Sequence, residues 1–140
     1  MTEVLIAILI LGVSIVTLLQ FFVSFCRSLI AESRGYELSE DTREISGVTA
    51  KTVDGDQFKR LLGLIALCPE PGGDRNQVRA VSTYFSMLGF ARRLATWAFP
   101  TAPKWIDSER GGCTYAAAVV LDRRIAYNRM LMAQQTGSHL

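Results

Sequence analysis

The sequence predicts an all-α protein with a single N-terminal transmembrane helix followed by a small three-helix cytoplasmic domain. Three observations lead there. Residues 4–25 form 22 consecutive positions without a charge. Beyond residue 56, apolar side chains recur at the three- and four-residue spacing of helices. Clusters of Pro and Gly punctuate those periodic stretches. The 140 residues carry a net charge of +2 and a mean hydropathy of +0.22. Setting the first 30 aside leaves about 110, close to the lower limit for a stable core and too few for a large two-domain enzyme. The chain divides into a transmembrane anchor (1–34, span about 4–25), an acidic polar linker (35–56) and a helical domain (57–140).

The apolar run begins Val4-Leu-Ile-Ala-Ile-Leu-Ile-Leu-Gly12-Val-Ser14. Helical rise makes 22 residues about 33 Å long, enough for a hydrocarbon core of about 30 Å. Only a helix satisfies its own backbone in lipid, so the β-branched Ile and Val do not argue for a strand. A cleaved signal peptide needs a basic n-region and a small-x-small cleavage site. Met1-Thr2-Glu3 and Phe25-Cys26-Arg27 supply neither. Arg27, Arg34 and Arg43 follow the span within about 18 residues, which by the positive-inside rule puts the N-terminus outside and the C-terminal domain in the cytoplasm.

Ser14, Thr17, Gln20 and Ser24 are spaced to share one helical face and form a polar seam for a partner helix in the membrane. Cys26 stands where a juxtamembrane cysteine can be lipidated. Gly35 is a C-terminal stop for the anchor helix. In the linker, Ser39 caps a turn over Glu40–Glu44. Residues 45–53 are rich in Thr and Val and suit a short strand, and Asp54-Gly55 is turn chemistry.

Three helices follow. The first covers residues 57–67, with Phe58, Leu61, Leu62 and Ile65 on one face; Cys68-Pro69 ends it. The second covers 75–98. Asp74 with Gln77 fits a capping box, and Phe99-Pro100 and Ala102-Pro103 end it. It carries Tyr84, Phe85, Met87, Leu88, Phe90, Leu94 and Trp97, more than one face requires, so it is central or covered by something outside the chain. The third covers 114–135 after Gly111-Gly112, with Ala118, Leu121, Ile125 and Met132 as its inward stripe.

Charge is unevenly placed. Residues 1–30 sum to zero, residues 31–74 to −4 (five basic, nine acidic) and residues 75–140 to +6 (nine basic, three acidic). Arg79, Arg92, Arg93, Trp97, Trp105, Arg123, Arg124 and Arg129 are the expected docking surface, for anionic lipid or an acidic protein. No nucleic-acid module is present.

Motifs for chemistry are scarce. Cys26, Cys68 and Cys113 are isolated, with no CxxC, which argues against zinc and against a disulfide framework; a Cys68–Cys113 pair stays open if the topology is reversed. His139 stands alone near the end, so no Ser-His or Cys-His pair is expected. Asp54-Gly55-Asp56 lacks the later ligands of a calcium loop. No enzyme activity, metal, cofactor, small-molecule substrate or nucleic acid is expected. The expected partners are membrane lipids, other integral membrane subunits and, in one alternative, further copies of the chain.

The segment Glu3-Val-Leu-Ile-Ala-Ile-Leu-Ile-Leu-Gly12 region resembles the start of a type IV pilin helix, over about a tenth of the chain. The resemblance implies a filament subunit. Glu3 stands two residues early for that family's spacing, no Gly precedes the run, and pilin heads contain a sheet where this chain reads as helical. The leading expectation is a non-catalytic accessory, scaffold or assembly subunit of a membrane complex. The alternative is a self-assembling membrane subunit, a holin- or viroporin-like oligomer or a pilin-like filament.

Overall fold

A computed structural model describes residues 1–46, 55–68 and 72–138. Five helices follow one another: α1 (Thr2–Arg34), α2 (Glu40–Ser46), α3 (Gly55–Leu67), α4 (Asp74–Ala98) and α5 (Ala102–Gly137). The described residues contain no strand. The strand suggested for residues 45–53 lies mostly outside the described residues; Ile45 and Ser46 end α2, and Gly55 opens α3.

α1 is the one helix among the described residues long and apolar enough to cross a membrane, with a mean hydropathy of 2.7 in its most apolar window. Its large apolar residues from Val4 to Leu19 are exposed. Its last third is different: Cys26, Ile30 and Ser33 are buried against the rest of the chain. The helix ends at Arg34 as the glycine predicted, but Gly35 has φ −77° and is right-handed. The last carbonyls are closed by tight turns instead, from Gly35 N–H to Glu32 and Tyr36 N–H to Ser33.

α5 is the hub, packing against each of the other four helices. Cys113, Thr114 and every residue from Ala116 to Asp122 are buried. A stretch enclosed all round belongs at the centre of a bundle. Three consecutive alanines, 116–118, let neighbouring helices come close. The centre is thus α5, and the excess apolar surface of α4 stays outside it. Ala118 and Leu121 face inward as expected, Ile125 is half-buried, and Met132 is exposed. From α3, Phe58, Leu61 and Ile65 enter the core, and Phe58 stacks on Phe85 with centroids 4.0 Å apart. Arg110 covers the other side of that pair, 4.6 Å from the Phe85 ring, an arrangement favoured by the ring quadrupole.

Two boundaries differ from the sequence reading. Gly111-Gly112 does not precede α5 but lies inside it, because α5 already begins at Ala102. A Cβ on Gly112 would stand 2.6 Å from Ile30 Cγ2. The glycine is there for a close helix crossing, not for a break. Pro103 likewise starts α5 instead of stopping α4: proline fits a first helical turn, where no N–H partner is needed. α4 does end at Ala98, since a residue before proline is driven to extended backbone, and Phe99 has φ −142° and ψ 111°.

The capping box at Asp74 is also corrected. The N-cap of α4 is Gly73, at φ +100°, a conformation that glycine alone adopts easily. Asp74 makes no cap hydrogen bond there; its carboxylate is bound by Arg124 at 3.0 Å.

Candidate functional site

Two regions carry polar or exposed chemistry: a set of buried polar ties around α5, and the surfaces of α1 and the α4–α5 hairpin.

The ties all involve acids that the sequence placed in an otherwise basic region. Between residues 75 and 140 there are only Asp107, Glu109 and Asp122, and each has an internal partner. Asp107 pairs with Arg92 at 3.2 Å on the surface, the one tie of the three that is not buried. Glu109 accepts a hydrogen bond from the Tyr84 hydroxyl at 2.9 Å and lies 3.7 Å from Arg27 Nε. Burial, reinforced by the Glu109 carboxylate, pushes the Tyr84 phenol well above its ordinary pKa, so it remains a donor. Phe22 meets the Tyr84 ring edge-on at 6.4 Å. Residues from α1, α4 and α5 thus meet at one polar knot, the Tyr84–Glu109 bond buried and Arg27 reaching it from the exposed side.

Asp122 ties α2 to α5. Ser39 Oγ donates to Asp122 Oδ1 at 2.5 Å, Thr42 Oγ1 donates to the same oxygen at 2.6 Å, and the Ser39 N–H reaches Oδ2 at 3.4 Å. The Ser39 hydroxyl is engaged there, reaching across to α5. Leu38 and Thr42 are buried beside it, and Tyr115 donates to the Tyr36 carbonyl at 2.5 Å. Burial by itself would raise the Asp122 pKa, but the Ser39 and Thr42 hydroxyls, the Ser39 N–H and Tyr36 outweigh it and hold the carboxyl below its ordinary value. A depressed folded pKa means that the unfolded chain takes up the proton first as pH falls. The stability that Asp122 contributes is therefore present above about pH 4 and lost as pH drops through the lower, folded pKa. Asp122→Asn is expected to cost about 1–3 kcal/mol at neutral pH and to flatten the acid limb of a stability–pH curve followed by circular dichroism. An unchanged acid limb would remove Asp122 as its source.

Arg124, expected on the docking surface, is interior: 3% exposed, bound to Asp74 and to the carbonyls of Ile65 and Cys68. Cys26, expected to be open to lipidation, is fully buried, with Sγ 3.8 Å from the Ala80 carbonyl oxygen. An acyl chain has no access to it while α1 and α4 are in contact. Cys26, Cys68 and Cys113 are all free thiols. Burial, with Cys26 and Glu109 adding to it, pushes the Cys113 thiol up to about 12, so it is protonated and unreactive. Among the described residues, no group of three or more His, Cys, Asp and Glu comes together to hold a metal.

The remaining predicted residues are on the surface. Ser14, Thr17, Gln20 and Ser24 are all exposed along α1. Thr17 satisfies its hydroxyl within the helix, donating to the Val13 carbonyl at 2.8 Å. Ser24 lines a cleft of about 400 Å³ with Arg27, Ser28, Arg34 and Glu109. The basic and aromatic residues do not form one face. Arg92, Arg93, Trp97 and Trp105 gather toward the hairpin tip, while Arg123, stacked 5.5 Å over Tyr36, and Arg129 lie toward the other end of α5. Arg79, also exposed, lies between them on α4. Sequence reasoning had missed Tyr84, Glu109 and Asp122 as structural ties. The signal available was the isolation of those acids in an arginine-rich segment.

The chain matches no protein-family model, no curated protein and no solved structure.

Proposed function

We propose that this protein is a non-catalytic, single-pass membrane subunit that holds a rigid helical domain at a fixed height on the cytoplasmic face and assembles with other integral membrane subunits. The observation that carries this reading is the continuity of α1. One helix supplies both an exposed apolar run with a polar seam and, without a break, the buried residues Cys26, Ile30 and Ser33 of the domain core. A flexible joint would decouple anchor and domain; here a displacement of the span must move the domain. The orientation rests on Arg27, Arg34 and Arg43 following the span. Gln20 is the strongest contact residue of the seam, because an amide in lipid gains most from a partner on another helix.

The test is affinity purification of the full-length chain in mild detergent with identification of the subunits that accompany it. A Gln20→Leu variant is expected to lose its membrane partner about three- to tenfold, as interhelical hydrogen bonds in lipid are modest. A monodisperse monomer from the unmutated chain would sink the proposal. Crosslinked ladders of this chain alone would favour self-assembly instead.

A further inference from the structure

The hairpin formed by α4 and α5 points back toward the apolar end of α1. Phe22 packs on Tyr84, Cys26 lies against Ala80, and Leu29 and Ser33 share a small cleft with Gln77 and Val81. Rising numbers in α1 meet falling numbers in α4, so the two helices are antiparallel. Arg27 meets Glu109 and Ile30 approaches Gly112, so α5 runs parallel to α1. Beyond Tyr84, α4 continues to Ala98, a further rise of about 21 Å, in the direction in which α1 leaves the domain. α5 begins on that same side of Glu109, about 10 Å back from it. The exposure of α1 from Val4 to Leu19 shows that α4 parts from it beyond Tyr84. The tip therefore lies on the side toward which the apolar run leaves the domain, slanting away from that run.

This tip holds the main apolar surface that the domain leaves open. Phe90, Leu94 and Trp97 follow one another at helical spacing on α4, and Phe99 and Trp105 join them across the turn; all five are exposed, Trp97 at 92%. They include both tryptophans of the chain. Arg92, Arg93 and Lys104, all exposed, flank them.

We propose that the α4–α5 tip is a second membrane contact. Its aromatic side chains enter the boundary between headgroups and acyl chains of the leaflet from which α1 emerges, and Arg93 and Lys104 meet the phosphates of anionic lipid. Tryptophan rings suit that boundary because one edge is apolar and the N–H still reaches water or headgroups. Nearby cations add attraction to an anionic leaflet. The proposal rests on α1 being a span: with α1 in the bilayer, the geometry brings the tip to the lipid surface, whereas a soluble partner would have to displace that surface. Two contacts, one spanning and one interfacial, would fix the tilt of the domain as well as its height.

The two tryptophans are built-in reporters, since α1 has none. The full-length chain is reconstituted in vesicles of phosphatidylcholine and phosphatidylglycerol, and Trp105→Phe and Trp97→Phe each leave one reporter. Resistance to alkaline carbonate extraction reports on the span independently. The expected result is a carbonate-resistant chain in which lipid brominated near the headgroup roughly halves Trp97 emission, as for a residue in the interfacial belt, while aqueous acrylamide has little effect. A carbonate-resistant chain whose tryptophans are quenched by acrylamide and not by brominated lipid overturns the tip contact and leaves the span standing. Tryptophans shielded from both quenchers overturn it in favour of a protein cover, a second copy if the chain crosslinks to itself. Release by carbonate overturns the span and the tip contact together.

Discussion

Replacing Arg124 with methionine is expected to destabilise the domain by about 3–5 kcal/mol, the cost of breaking a buried ion pair from one side. Arg124 sits where α3 ends and α4 begins. Its Nε binds Asp74 Oδ2 at 3.0 Å, and its Nη1 donates to the Ile65 carbonyl at 2.7 Å and more weakly to Cys68 at 3.5 Å. The last carbonyls of a helix have no partner within it, so one guanidinium closes the end of α3 while neutralising the acid in the first turn of α4. Methionine fills much of the same volume but donates nothing. It leaves the nearly buried Asp74 carboxylate without its cation, and the Ile65 carbonyl with the Cys68 N–H alone, at 3.2 Å. Denaturant unfolding of the detergent-solubilised chain, followed by near-ultraviolet circular dichroism, measures the change. Adding Asp74→Leu to Arg124→Met should recover most of the loss, because an apolar pair often matches a buried ionic one. Equal losses in the single and double variants would show that the ion pair is not the source.

A methyl group at Gly112 and one at Gly89 should have opposite effects, although both are glycines inside helices. Gly112→Ala places a Cβ 2.6 Å from Ile30 Cγ2, itself buried, and 3.5 Å from the Arg34 guanidinium. Overpacking of this kind costs about 1–3 kcal/mol, which exceeds the roughly 1 kcal/mol that alanine gains over glycine in a helix. Gly89→Ala on α4 meets nothing within 4 Å and should stabilise by about 0.5–1 kcal/mol. Gly112→Val enlarges the clash and should lift α1 off α5. Maleimide labelling detects this directly, because Cys26 and Cys113 are fully buried in the packed chain and become reactive only when α1 moves away. Stabilisation by alanine at both positions would mean that α1 and α5 do not approach so closely.

These two sites show where sequence reading reaches and where it stops. In the sequence Gly111-Gly112 reads as a helix boundary, because glycine costs helix stability and commonly marks an end. That preference is local and weak. The contact with Ile30, some 80 residues earlier in the chain, overrides it, and no local window contains both partners. Asp74 had the correct residue type and spacing for a cap, yet a guanidinium 50 positions away holds its carboxylate more strongly than a backbone N–H would. The sequence puts Cys26 at an open membrane boundary because the apolar run ends beside it, and only the packing of α1 on α4 buries it. The stripe Phe58, Leu61 and Ile65 was legible because one helical face and one core suffice to explain it.

What the sequence by itself determined follows from short-range physics. A charge-free run long enough to span lipid, the steric effect of Pro100 on Phe99 and the apolar period of α3 predict an all-helical chain, the extent of its apolar helix and the end of α4. The helix count in the domain, the central place of α5, the internal pairing of Glu109 and Asp122, and the separation of tip from distal arginines were decided only by the tertiary structure. Each depends on residues 25 to more than 80 positions apart, whose meeting is set by how whole helices pack. An excess of apolar side chains on α4 was visible in the sequence; that it lies bare, on the side from which α1 departs, is a property of the fold.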